Sequence, residues 1–510
     1  MSDTLQALLA PHDENAAAIG APGRPWMSFG ALRELSRQVG HTLAGHGIGA
    51  NDRVAIVLAN GPEMASAFIA IAQHASTAPL NPAYREDEYA FYLTDLDARA
   101  LIVADGDEGP AVSAARANGI RILRLSPVAG GVAGDFTLEA AGSPAAAAPR
   151  AAGADDVALV LHTSGTTSRP KIVPLLQRNL AASARHIGHT LQLGPADRCL
   201  NIMPLFHIHG LIAAVLSSLA AGAAVSCTPG FNALQFFAWL DEVAPTWYTA
   251  VPTMHQAILA RAARNAASLA RARLRFIRSS SASLPPQVMA ALEETFGAPV
   301  IESYGMTEAT HQMASNPLPP AERKAGSVGI AAGPQVEIAS EIEDRLLSRG
   351  DTGEVVISGP NVTPGYESNP SANEKAFFEI DGRRWFRTGD QGVQDEGGYL
   401  RITGRLKEII NRGGEKVSPL EVDETIMDHP AVQQVVTFAM PHPKLGEEVA
   451  CAVVLREGQS ADEKAIREFA AERLADFKVP RRVIILAEIP KGATGKLQRI
   501  GLAEKLGLAS

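Results

Sequence analysis

The sequence predicts an α/β fold in which a large N-terminal domain built of parallel α/β subdomains also carries a small β-subdomain and is followed by a small α+β C-terminal domain. Three observations predict it. Short apolar strands alternate with amphipathic helices from Ser28 onward, the pattern of a mainly parallel sheet with helices on its faces. At 510 residues the chain is too long for one ordinary core. From about Gly326 the text turns rich in strands and turns, and after Gly404 it changes again to a compact α+β unit with its own helix caps.

The elements follow in order. Ser28 opens an amphipathic helix with Leu32, Leu35, Val39 and Leu43 three or four apart, ended by Gly45 and Gly47. Arg53 to Leu58 reads as a buried strand, Pro62 to His74 as a helix, and Leu101 to Ala104 and Ile120 to Leu125 as strands flanking a helix from Ala111 to Ala117. Between Pro127 and Asp156 the Ala, Gly and Pro content predicts a loosely structured surface connection. The apolar run Val157 to Leu161 is the next strand, Gln177 to Leu191 a helix and Arg198 to Pro204 a strand. Strands are also expected at Trp247 to Ala250, Leu274 to Arg278 and Val300 to Glu302, with a helix from Pro286 to Phe296 closed by Gly297. Gly326 to Gly404 reads as the small antiparallel β-subdomain. In the last unit, Ser418 with Glu421 and Ser460 with Glu463 read as capping boxes. Ala431 to Ala439, Val449 to Arg456 and Val483 to Ala487 are its strands.

Composition narrows the function. The 46 basic against 55 acidic residues give a formal charge of −9 and no basic run of five, which argues against a nucleic-acid binder. Three scattered cysteines are too few for a disulfide framework or a zinc site and read as reduced packing residues. No uninterrupted apolar run reaches membrane-spanning length, and the first residues lack a basic segment leading into an apolar one, so no membrane association and a cytoplasmic location are expected.

Several stretches carry chemistry. Thr163-Ser164-Gly165-Thr166-Thr167-Ser168-Arg169-Pro170-Lys171 packs hydroxyls around a glycine and adds a lysine, a set of donors suited to a phosphate chain, although a Ser/Thr-rich surface turn has the same composition. The common P-loop spacing is absent. In Pro204 to Gly210, His207 and His209 lack a nearby cysteine or carboxylate and read poorly as metal ligands. Ser279 to Pro285 places small residues at the carboxyl end of a strand, the edge where open α/β sheets bind ligands. In Ser303-Tyr304-Gly305-Met306-Thr307-Glu308 an aromatic ring suits a base, and a hydroxyl followed by a carboxylate suits Mg2+ held against phosphate. Asp390, after Thr388-Gly389, is a carboxylate able to accept from two ribose hydroxyls, or a plain turn residue. Gly413-Gly414 suits a mobile loop. Lys496, beside Gly495, would ordinarily be a solvated charge.

Taken together and in this order, these stretches resemble the motifs of the adenylate-forming superfamily, which includes acyl-CoA synthetases, luciferases and the adenylation domains of peptide synthetases. Ser168 and Ile172 stand where the phosphate-loop pattern has glycine. The resemblance implies a mobile C-terminal domain, with residues 1–404 binding ATP and acyl group, a hinge at 405–407 centred on Lys407, and 408–510 swinging. It assigns ATP binding to Thr163, Ser164, Gly165, Thr166, Thr167, Lys171, Ser281, Ala282, Ser283, Ser303, Tyr304, Gly305, Asp390 and Arg405. Tyr304 then faces adenine, Thr307 and Glu308 serve catalysis with Glu308 on the metal, Lys496 is the catalytic lysine, and Gly413 and Gly414 line the coenzyme A tunnel.

The implied reaction has a carboxylate attack the α-phosphorus of ATP, with Mg2+, to give an acyl adenylate and pyrophosphate, after which the thiol of coenzyme A displaces AMP. Within the family, His162, the segment Arg278 to Ser283 and the run Thr307 to Pro319 resemble the oxalate–CoA ligases. A tiny dicarboxylate needs a small polar pocket, which His207, Ser281 and His311 could furnish. Another small carboxylic acid, an enzyme loading a carrier protein, and a nucleotide binder without catalysis are the alternatives. The protein is expected to act as a monomer or homodimer.

Overall fold

Ser28 accepts a hydrogen bond from the Ala31 amide and so satisfies one free donor at the start of the helix Phe29–Gly45, whose Leu32, Leu35, Val39 and Leu43 are buried. The structure is a computed structural model that describes residues 3–140, 147–163, 170–491 and 497–508. It is a mixed α/β molecule with a large N-terminal part and a small C-terminal part.

Two sheets form the large part. A seven-stranded sheet orders its strands Phe136–Ala140, Arg121–Pro127, Ala100–Ala104, Arg53–Val57, Ser76–Pro79, Val157–Thr163 (β1) and Lys171–Leu176 (β2). Its centre is parallel, and each end closes with an antiparallel pair. The strand Phe136–Ala140 corrects the expectation of an unstructured connection from 127 to 156: Phe136 is buried, and alternate residues of this edge strand face the core. A nine-stranded sheet runs Ile330–Ala331, His311–Ser315 (β6), Val300–Met306 (β5), Phe276–Ser279 (β4), Trp247–Ala250 (β3), Arg198–Asn201, Ala224–Cys227, Ala17–Ala21 and Arg24–Ser28. The helix Pro62–Ala72 is buried on almost every side because it packs against strands of both sheets, which is why it is apolar all round.

A five-stranded antiparallel sheet holds Gln335–Ala339, Thr352–Ser358, Phe377–Ile380, Arg383–Gln394 (β7) and Leu400–Arg405 (β8), as expected for the β-subdomain. The C-terminal sheet, with strands between Ile410 and Ile485, has cores of its own around Val422, Val449 and Phe438. Ser418 caps the helix Pro419–Met427 through the Glu421 amide, but the Glu421 carboxylate pairs with Lys478 instead of returning to the cap. The second expected box is displaced: Asp462, not Ser460, caps Glu463–Ala471, because a carboxylate directly before the helix reaches the Ala465 amide and also favours the positive helix end.

Among the described residues, no helix is long and apolar enough to cross a membrane. All three cysteines are buried and unpaired with one another.

Candidate active site

The hairpin of β5 and β6 is the centre of the site. A register shift falls between Tyr304 and Gly305, and a β-carbon on Gly305 would meet the His311 carbonyl oxygen at 1.9 Å. Glycine is therefore required here by the neighbouring strand's backbone. The turn Thr307–Ala309 ends in Thr310 and His311, both at positive φ (49° and 91°), a strained arrangement for residues with side chains. That turn buries Glu308 to 6% exposure.

Burial raises the Glu308 carboxyl above its usual range, opposed by a hydrogen bond from the Tyr366 hydroxyl (2.8 Å to Oε1) and by the charges of Arg405 and Lys171. The Lys171 ammonium sits 4.1 Å from the centre of the Tyr366 ring, and burial lowers its pKa. Thr163 pairs with Lys171 where β1 and β2 diverge. Both stems of the hydroxyl-rich loop thus stand beside Glu308. Ser164, Gly165, Thr166 and Thr167 lie outside the described residues, as does Lys496. Ile172 fits without distortion: it is a strand residue, 9% exposed, packed on the core beneath the seven-stranded sheet.

On the other side of Glu308, β7 carries Asp390. Its carboxylate accepts from the Tyr304 hydroxyl and pairs with Arg405 Nε at 3.1 Å, while its own amide donates to Thr388 Oγ1. The Asp390 charge is the main cause of a raised Arg405 pKa. Lys407, exposed two residues on, bears on the ionisation of Lys171. Ser303 is buried and donates to the Ser279 carbonyl. Ala282 is exposed and Ser283 half-buried in the loop after β4. The turn Gly413-Gly414 is the exposed tip of the hairpin Ile410–Arg412 and Glu415–Val417. Lys416 of that hairpin bonds Glu341 (2.7 Å), which also accepts from Gln391, the residue after Asp390.

A second polar group lies under the carboxyl ends of β3 and β4. The His209 ring is fully buried, with Nδ1 3.0 Å from Ser281 Oγ and Nε2 2.6 Å from Thr249 Oγ1, and its centre lies 5.1 Å from that of His311. Ser281 adopts φ 75°, which turns the chain so that its hydroxyl reaches the imidazole. His207 is half-buried at the head of this segment. Two of the three expected pocket residues, Ser281 and His311, thus meet at His209, which was not among them. The spacing of two histidines gave no hint of which ring would meet the serine. Tyr366 was also missed; its only sequence signal is an aromatic residue in the turn after Val362.

The arrangement suits a nucleotide with a metal ion. Glu308 offers one buried hard oxygen donor among basic neighbours, the few-ligand setting in which Mg2+ is held mainly by phosphate. Chemically, the basic side chains around Glu308 can offset the charge of a bound anion.

The family model described as "AMP-binding enzyme" matches residues 6–367, and "AMP-binding enzyme C-terminal domain" matches 421–496. An oxalate–CoA ligase of Arabidopsis thaliana is 45% identical over 509 residues, covering 98% of each chain. One from Saccharomyces cerevisiae is 39% identical over 511 residues, covering 94% of this chain and 93% of that one. Among solved structures, ATP-bound MatB from Rhodopseudomonas palustris superposes with a TM-score of 0.88 at 29% identity, covering 99% of both chains.

Proposed function

This chain belongs to the AMP-binding enzyme family, and from that premise we propose that it joins oxalate to coenzyme A through an oxalyl adenylate, releasing AMP and pyrophosphate. It is an AMP-forming acid–CoA ligase that uses ATP, Mg2+ and coenzyme A. What supports the choice of acid is the polar group in which His209 meets Ser281 and lies against His311, three residues from Glu308, where a fatty acid would require an apolar tunnel. Two oxalate–CoA ligases among the relatives support it.

Both reactants of the first step are anions, so the barrier is largely electrostatic. Glu308 would hold Mg2+, which when bound would offset phosphate charge. Lys171 and the donors from Thr163 to Thr167 grip the phosphates, Asp390 with Arg405 orients the ribose, and Tyr304 packs on the adenine. Lys496 bridges the carboxylate and the α-phosphate, its compact ammonium offsetting their repulsion. The carboxylate oxygen then displaces pyrophosphate from the α-phosphorus. In the second step residues 408–510 rotate about Lys407 relative to residues 1–404, and the Gly413-Gly414 turn admits the pantetheine so that its thiolate attacks the acyl carbon and AMP leaves. Three buried, unpaired cysteines are in keeping with a reducing compartment such as the cytoplasm.

AMP release measured across oxalate, malonate, acetate and octanoate tests the reading. Fastest turnover on oxalate with free coenzyme A is expected; best turnover on octanoate, or AMP release that needs a carrier protein, would overturn it.

A further inference from the structure

Arg278, next to last in β4, has its side chain fully buried. Of its guanidinium donors, Nη2 meets Gln312 Oε1 at 3.2 Å, while Nε and Nη1 have no hydrogen-bond partner. Among the described residues no carboxylate pairs with it. The Cys199 thiol nearby is no anion, because burial pushes it so far up that it is neutral, and burial likewise keeps the adjoining His255 ring uncharged. A buried cation without an anion is costly, enough here to lower the guanidinium to about 9. Apolar side chains of similar size would fill the same space without that cost.

The guanidinium is tied from two sides to the polar group of His209, Ser281 and His311. Arg278 lies in register with Thr249 on parallel strands, so both side chains project from the same face of the sheet, and Thr249 Oγ1 is bonded to His209. Its other contact, Gln312, directly follows His311 in β6, and is itself fixed by donating to Thr190 Oγ1 and the Ala332 carbonyl. The positive charge is therefore linked to His209 through the neighbouring Thr249 and to the His311 segment through Gln312, in a buried region where its field is weakly screened.

We propose that Arg278 is a specificity-determining residue: its fixed charge, felt through the wall of His209 and His311, makes the pocket select an acid that carries a second carboxylate. The inference rests on the acid–CoA ligase reading and deepens it. Attack on ATP uses one carboxylate, and the other remains ionised in the bound acid. Arg278 supplies the countercharge that this remaining anion would otherwise lack.

The test compares kcat/KM for oxalate and for glycolate, in which a neutral hydroxymethyl replaces the second carboxylate. Arg278→Met keeps the bulk and removes the charge. Gln312→Glu keeps the arginine and sets a carboxylate against Nη2. ATP-dependent thermal stabilisation checks that each variant is folded, and either variant alone decides the matter. The oxalate value should fall about 100-fold, equivalent to about 2.8 kcal/mol, and the oxalate-to-glycolate ratio should fall at least tenfold, as a merely structural role would not make it do. A ratio unchanged within about threefold overturns the assignment of Arg278. A wild-type enzyme that activates neither oxalate nor malonate overturns instead the substrate reading on which the assignment stands.

Discussion

Replacing Tyr366 by Phe isolates one interaction at the carboxylate proposed to hold Mg2+. The ring, and with it the contact to the Lys171 ammonium at 4.1 Å, is retained, and only the hydroxyl that donates to Glu308 Oε1 at 2.8 Å is lost. Glu308 is buried and its carboxyl is already raised by desolvation, so the ionised form depends on the donors and cations around it. A hydrogen bond to a charged group is worth about 1.5–3 kcal/mol. At about 1.4 kcal/mol per pH unit, its loss should move the acid limb of the pH–rate profile upward by about one to two units. The sign follows from which form is stabilised. The hydroxyl favours the carboxylate, so without it the proton is held to higher pH and activity fails sooner on acidification. The profile of kcat/KM for ATP, measured by pyrophosphate release from pH 5.5 to 9, reads this directly. The variant should approach wild-type rates at the alkaline end, and excess Mg2+ should partly restore the acid limb. An acid limb that stays in place, with a uniform loss at every pH, would refute the electrostatic role of Tyr366.

Three further outcomes are expected. Asp390→Asn weakens the pairing with Arg405 and the proposed ribose contact together, so KM for ATP should rise about 10- to 100-fold with little change in KM for the acid, as initial-rate kinetics would show. Lys496→Ala should abolish acid-dependent pyrophosphate exchange while leaving ATP binding by calorimetry within about threefold. Burial pushes Glu302 up to about 8, against 4.5 for an ordinary glutamate, so between those pH values the native state holds a proton that the unfolded chain has released, and stability falls as pH rises. Glu302→Gln should remove about 2 kcal/mol of that decline between pH 6 and 7.5, measured by urea unfolding of variant and wild type.

Much of the fold was legible because burial leaves a period in the sequence. The 3.6-residue spacing from Leu32 to Leu43 and the apolar run at Val157 gave a helix and a strand close to their observed bounds. What escaped was set by partners distant along the chain. Phe136–Ala140 is a strand because Arg121–Pro127 offers it an edge, and no local composition of Ala, Gly and Pro announces that. His311–Ser315 turns back on Val300–Met306 across a strained turn at Thr310. At the site, residue types near glycines and hydroxyls could be read from order and spacing. The support around them could not, since Tyr366 meets Glu308 across 58 positions and His209 meets Ser281 across 72. Arg278 was visible as a charge ending an apolar strand, but its missing anion is a property of the packed core.

The account turns on a carboxylate oxygen attacking the α-phosphorus of ATP within the cleft around Glu308. Oxalate labelled with 18O, turned over with ATP, Mg2+ and coenzyme A and followed by mass spectrometry of the nucleotide, tests this in one step. One labelled oxygen per turnover should appear in AMP and none in pyrophosphate; label in pyrophosphate or phosphate, or ADP as the nucleotide product, would contradict it.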